Sequence, residues 1–410
     1  MKRLLYVLGA LVLVGAVVAV VVRQRPEAAS PPPLKNFAIK YADGSPLWSS
    51  DSTTPEPPLV TQVLTELSRQ ASLDRDQLRR VGGTVVTTID PKAQVAATSA
   101  VDATARAQAP ALRYSLTAVD PATGGVRAYV PGSEGTRDGD PDPTDYAGGV
   151  LKQPGTTFFP LNVVAGMKEG KQLDSVFDGT KRRVAGVEVW DGGRCGKSCT
   201  VREALAKSSG VVMFDLVANS TGSRAVQAAA RQAGVPESVV VEGKETKLLV
   251  GEKGNPPDTD IALGADPASL RPLDLTTVYA TFAAGGVQHR THFVTKVTDD
   301  NSRPLYQVVE STTPAFDPDI AVSAEVSSRI TGVLKENTAC PGAVCRTAYY
   351  QQDATGQRSH AWATGYTDRM AITVLVTTQN RAQHVPLDVK QTIEQAVLPK
   401  TVWEAFAAQA

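Results

Sequence analysis

Four cysteines fall into two close pairs, Cys195 with Cys199 and Cys340 with Cys345, with three and four residues between the partners. Thiols so placed close small local disulfides, stay free, or join in a four-thiolate metal site. Zinc sites of that kind usually use Cys-x2-Cys, a form that neither pair has. Two local disulfides, Cys195–Cys199 and Cys340–Cys345, are the expectation, and they suit an oxidising, extracytoplasmic compartment. The four histidines are His289, His292, His360 and His384. A metal centre or a Ser-His-Asp triad needs convergent partners that no local motif supplies. They are read as solvated or capping residues, and no metal or cofactor is expected.

The elements that must carry these side chains are legible from periodicity. The chain has 410 residues, with 42 Lys+Arg against 42 Asp+Glu. At roughly 150 residues per domain this allows two or three domains. Zero net charge leaves no field to gather polyanions, so a dedicated nucleic-acid binder is not expected. Strand-like runs at 37–41 and 85–89 flank a helical pattern over 59–80, and Asp90-Pro91 starts a helix running to Ala107. Residues 35–110 thus look like a small α+β pedestal. Ser115–Val119 and Gly125–Val130 alternate like a hairpin around Asp120–Gly124. Helical periodicity follows at Leu161–Lys168, Val201–Val217, Arg224–Ala233 and Leu273–Ala284. Strands at Ala361–Gly365 and Met370–Thr377 precede a last helix, Leu387–Ala408. Strands at both ends with helices between imply one sheet made from both ends of residues 111–410.

Several ordered blocks carry a resemblance. They begin with Leu116-Thr117-Ala118-Val119-Asp120-Pro121-Ala122-Thr123-Gly124 and Lys152-Gln153-Pro154-Gly155-Thr156-Thr157-Phe158-Phe159-Pro160. Val201 to Gly210, Tyr279 to Gly286, Arg346-Thr347-Ala348 and Ala361-Trp362 follow in order. Over about residues 84–410 the chain resembles the transpeptidase domain of penicillin-binding proteins, nearest to the bifunctional class A group. The resemblance implies an α/β (α+β) fold of the penicillin-binding-protein and serine β-lactamase kind, with a central antiparallel sheet and helices. Tyr41-Ala42-Asp43-Gly44-Ser45 and Val81 to Pro91 resemble segments on either side of that group's glycosyltransferase domain. Too few residues lie between them for that domain, and no Glu-Asp dipeptide of its signature occurs. Polymerase activity is therefore not expected.

The family reaction is acyl transfer from a D-Ala-D-Ala peptide: a serine attacks the carbonyl and a lysine three residues on acts as its base. Ser-x-Asn and Lys-Thr-Gly motifs relay protons and hold the substrate carboxylate. Here Thr156 stands at the serine position and Phe159 at the lysine position. A phenyl ring accepts no proton, so the missing base alone should cost ~10²–10⁴-fold. Ser208 survives in the second motif, but Gly210 replaces its asparagine; Arg346, Thr347 and Ala348 replace Lys-Thr-Gly. Ser208, Arg346 and Thr347 keep groups able to bind a carboxylate. Lys152 and Lys207 could rescue the base only if the fold brought one to Thr156. On local grounds Thr156 and Thr157 read as N-caps of the helix near Phe159, with Phe158 and Phe159 as core anchors.

Leu4 to Val22 is a run of 19 residues without a charge. At roughly 1.5 Å per residue it just spans a hydrocarbon core of ~30 Å. No small-x-small cleavage site follows cleanly, so an uncleaved single-pass anchor is expected. The layout is then a cytoplasmic tip (1–3), an anchor (4–22), a Pro-rich linker (23–34), the pedestal (35–110) and the transpeptidase-like domain (111–410), with the bulk of the chain extracytoplasmic. The functional expectation is a membrane-anchored, inactive pseudo-transpeptidase of cell-wall biogenesis. It would act as a scaffold, a regulator, or a binding module for peptide or β-lactam. Its partners would be peptidoglycan peptides or cell-wall synthesis proteins. The alternative is an active D,D-transpeptidase or carboxypeptidase with Thr156 as nucleophile.

Overall fold

Turn chemistry sets the first layer. In the computed structural model, which describes residues 33–106, 108, 112–132, 144–241, 243–350, 360–378 and 397–409, β1 (Ala38–Lys40) folds back on β2 (Pro46–Ser49). The reversal runs through Asp43, whose carboxylate accepts from Ser45 N at 2.9 Å, and through Gly44 at φ +87°. The helical pattern over 59–80 is two helices, α1 (Pro58–Ala71) and α2 (Arg75–Val81). Ser72 at φ 52° ends the first, and Asp74 starts the second in a reciprocal cap with Gln77. Strand β3 (Thr84–Thr87) runs parallel to β1, and Asp90 caps α3 (Pro91–Ala105) at Lys92 N and Ala93 N.

Strands β4 (Leu112–Val119) and β5 (Val126–Val130) pair antiparallel across the expected hairpin. Helices α4 (Phe159–Lys168), α5 (Val201–Lys207), α6 (Gly210–Leu216), α7 (Ser223–Gln232) and α8 (Pro272–Ala283) form the helical region. Next come β6 (Val294–Thr298) and β7 (Pro304–Gln307), which join the first layer in a five-stranded sheet of order β7-β6-β3-β1-β2. The pedestal sheet therefore takes two of its five strands from far along the chain. Last are α9 (Ile320–Glu336), β8 (Val344–Tyr350), β9 (His360–Tyr366), β10 (Ala371–Thr378) and α10 (Val397–Ala407).

The central sheet has the order β8-β9-β10-β4-β5, with every pairing antiparallel. It is built from both ends of the transpeptidase-like region, as the sequence pattern implied. Strands β4 and β10 are buried along their whole length because both faces are covered. Leu112, Tyr114, Leu116 and Ala118 face a core shared with Trp403 and Phe406 of α10 and the alanines of α3. On the alternate positions, Ser115 and Thr117 carry hydroxyls, and Ser115 Oγ donates to Tyr146 O at 3.2 Å. Part of the last expected helix, 387–396, lies outside the described residues, as do the anchor 4–22, the linker residues 23–32 and His384. Among the described residues no helix is long and apolar enough to cross a membrane.

Candidate functional site

The segment carrying Thr156 is held from three sides. Its entry, Gln153, is buried, and its carbonyl accepts from Trp362 Nε1 and His360 Nε2, each at 2.8 Å. His360 is thus no solvated histidine but a buried strut whose Nε2 carries the proton, since a carbonyl can only accept. His292 is also buried, with Nδ1 3.0 Å from Arg290 O, and burial lowers its pKa. Behind the turn, Gly155 N donates to Gly264 O at 3.1 Å. Gly264 sits at φ +64°, and a Cβ there would meet Gly155 O at 2.2 Å. Only glycine fits so close an approach.

Residues Gly155–Phe158 make a 3₁₀ turn that runs directly into α4. Neither threonine caps the helix, contrary to the capping expectation. Thr157 Oγ1 donates to Pro154 O at 2.6 Å, and Thr156 Oγ1 reaches Thr347 O at 3.4 Å. With the turn already continuous with the helix, the hydroxyls turn instead to nearby carbonyls. Tyr279 OH donates to Thr157 O at 2.9 Å and braces the same turn. Thr156 alone between Gln153 and Pro160 is not buried. Phe158 and Phe159 are 0% and 1% exposed and belong to the main core, as expected of helix anchors. Position 159 is thus occupied by a packed ring.

The other two motif segments meet each other. The pattern read as one helix over 201–217 breaks at Ser208, which takes φ 55° and ends α5. Its Oγ accepts from Arg346 Nη2 at 2.6 Å, while Arg346 Nη1 donates to Leu205 O at 3.0 Å. Arg346 is 5% exposed and has no carboxylate partner among the described residues. Burial pulls its pKa below the ordinary arginine value, with Tyr279 acting in the opposite sense. Lys207 is turned to Glu203, 3.6 Å away on its own helix, with half its side chain in solvent. Ala348 is buried, its Cβ 3.5 Å from where a Cβ on Gly155 would stand. Of Arg346, Thr347 and Ala348, only Thr347 is partly exposed.

Sequence reasoning missed Asp191. Its Oδ2 accepts from Ser209 Oγ at 2.7 Å and Val211 N at 3.3 Å, and its Oδ1 from Gly193 N at 3.1 Å. A Cβ on Gly210 would lie 3.9 Å from Asp191 Cβ and 3.3 Å from Leu263 Cδ2. A carboxylate therefore stands beside Gly210, where the resemblance would put an asparagine, and binds the first turn of α6, a favourable position for negative charge. The two disulfides pair as expected, Cys195–Cys199 and Cys340–Cys345, with Cα separations of 5.8 and 5.4 Å. The first closes a short loop that begins four residues after Asp191, and the second directly precedes Arg346.

Chemically, this is a half-open hydroxyl beside β8, which is hydrogen-bonded to a neighbouring strand on one side only among the described residues. Such an edge can take up an extended peptide by strand addition. No group of three His, Cys, Asp or Glu side chains among the described residues could hold a metal ion.

A family profile described as the penicillin binding protein transpeptidase domain matches residues 114–398. Penicillin-binding protein 1A of Mycolicibacterium smegmatis is 32% identical over 364 residues, which cover 87% of this chain and 45% of that protein. Penicillin-binding protein 1A of Mycobacterium tuberculosis is 30% identical over 356 residues, covering 84% of this chain and 42% of that protein. The chain thus spans under half the length of these two relatives. The structure of the PonA1 protein from M. tuberculosis in complex with penicillin V superposes with a TM-score of 0.74 at 28% identity, covering 86% of this chain and 92% of that one.

Proposed function

The chain belongs to the penicillin-binding-protein transpeptidase family, and from that premise we propose that it serves peptidoglycan and cell-wall biogenesis as a membrane-anchored, extracytoplasmic pseudo-transpeptidase. In this reading the fold has lost acyl transfer and acts as a scaffold, a regulator or a module that binds peptide or β-lactam without turnover. One observation carries it: the position of the general base is Phe159, 1% exposed and packed in the core. The polar contact of Thr156 Oγ1 is a carbonyl at 3.4 Å, which takes no proton. Residues that act as a unit fail together, so loss of the base, the asparagine and the lysine leaves little to recover singly. Support for the anchor is the uncharged run Leu4–Val22, and support for an extracytoplasmic body is the pair of disulfides.

Binding without turnover finds support at β8. With Arg346 and Ser208 engaged with each other, a peptide carboxylate would be met by Thr347 and the free edge of the strand. The alternative is a D,D-transpeptidase or carboxypeptidase with Thr156 as nucleophile. It is favoured by the partial exposure of Thr156 beside that edge. A fluorescent-penicillin gel separates the two. Wild type and Thr156→Ser should both stay dark, and signal should appear only when Phe159→Lys and Gly210→Asn are combined with Thr156→Ser. Labelling of the wild type that is lost in Thr156→Ala would establish the alternative.

A further inference from the structure

Away from Thr156, a cavity of about 260 Å³ opens between α1 and the N-terminal half of α8. Its inner wall is chemically closed. Arg271 grips Asp274 through Nη2 at 2.6 Å and Nε at 2.9 Å. Glu66 accepts from Phe293 N at 2.6 Å and Val294 N at 3.1 Å. The mouth differs. Arg69 and Arg290 both line the cavity, yet neither has a carboxylate within ion-pair distance among the described residues. Arg290 Nη1 donates to Gln70 Oε1 at 2.8 Å, a neutral partner. Two guanidinium charges thus stand against the one carboxylate, Glu66, that is not already matched by a cation. Burial pushes even that carboxyl up to about 7, which weakens its compensation at neutral pH.

We propose that this cavity is a binding site for a small monocarboxylate, the terminal carboxylate of an acylated amino acid or short peptide, clasped by Arg69 and Arg290. A single negative charge balances the excess, whereas a phosphate dianion would overshoot it beside Glu66. Planar guanidinium groups suit the two oxygens of a carboxylate. Gln288, Thr277 and Thr291 also line the cavity. Gln288 Nε2 donates to His289 O at 2.9 Å and the two threonine hydroxyls pair at 2.8 Å, so what they offer the body of such a ligand is acceptor oxygens, for example to an amide N–H. The volume lies below the ~300–1,000 Å³ of drug-sized sites, so one residue fits better than a long peptide. The site stands whether or not Thr156 reacts.

The test is calorimetric titration of the full chain with N-acetylalanine in both enantiomers, with N-acetylalanine amide, and with inorganic phosphate at matched ionic strength. The carboxylate of at least one enantiomer should bind saturably, and the uncharged amide should bind at least ~10-fold more weakly. Arg69→Gln and Arg290→Gln should each weaken the carboxylate by ~10-fold or more. Arg69 is exposed, so its variant should keep the wild-type melting temperature and decides the matter even if Arg290→Gln fails to fold. Equal binding of acid and amide, unchanged affinity in Arg69→Gln, no saturable binding, or tighter binding of phosphate would each overturn the proposal.

Discussion

Removing the Ser208 hydroxyl would leave one arm of the buried Arg346 guanidinium without its acceptor. That hydroxyl lies 2.6 Å from Nη2, and Leu205 O holds only the other arm. Stranding a buried charged donor costs about 1–3 kcal/mol, so Ser208→Ala should lower the urea midpoint accordingly with an unchanged m-value. The double variant Arg346→Met with Ser208→Ala should recover part of that loss, because it removes the unmatched charge as well. A Ser208→Ala midpoint equal to wild type would mean that water or another group satisfies Arg346. At this scale the chemistry was the most legible part. Phe159 and Gly210 could be recognised as departures from a motif without coordinates. That Arg346 would spend its donors inside the protein could not, because Ser208 lies 138 residues away in sequence.

The turn around Thr156 depends on elements that lend it backbone contacts. Gly264→Ala would place a methyl 2.2 Å from Gly155 O in a left-handed conformation. It should cost at least about 2 kcal/mol and alter the near-ultraviolet circular dichroism of the aromatics around the turn. A fully stable Gly264→Ala protein would show that this contact gives way easily. At the junction of α1 with β6, Glu66 has an ordinary pKa of 4.5 and is pushed by burial to about 7 in the folded protein. The folded state then holds a proton that the unfolded state has released. Stability should fall as pH rises from 4.5 to about 7, by an amount on the order of 3 kcal/mol. Glu66→Gln should flatten that slope, and an equal slope in the variant would assign it to other groups. Helix existence was readable from periodicity, but breaks and partners were not. Ser208 splits one apparent helix by adopting a positive φ that its residue type does not advertise. Helix α9 is not legible from periodicity because its buried stripe includes Ser323 and Ser327 among the apolar residues, which blurs the period. Asp191 was invisible because its partner Ser209 is 18 residues on, across a disulfide-closed loop.

For the whole molecule, the sheet built from both ends of the 111–410 region follows from where strand-like runs sit in the chain. The pedestal sheet does not, since β6 and β7 are short and find β3 only in three dimensions. The result is a transpeptidase-family fold in which Thr156 meets Thr347 and Ser208 meets Arg346 of the same strand, while Phe159, at the position proposed for the family's base, is packed in the core. The central claim is that this scaffold forms no acyl-enzyme. Intact-mass spectrometry of the folded chain after long incubation with excess benzylpenicillin tests it most directly. The expected result is the mass of the unmodified, doubly disulfide-bonded protein; a stoichiometric penicilloyl adduct mapped to Thr156 would contradict the proposed loss of acyl transfer.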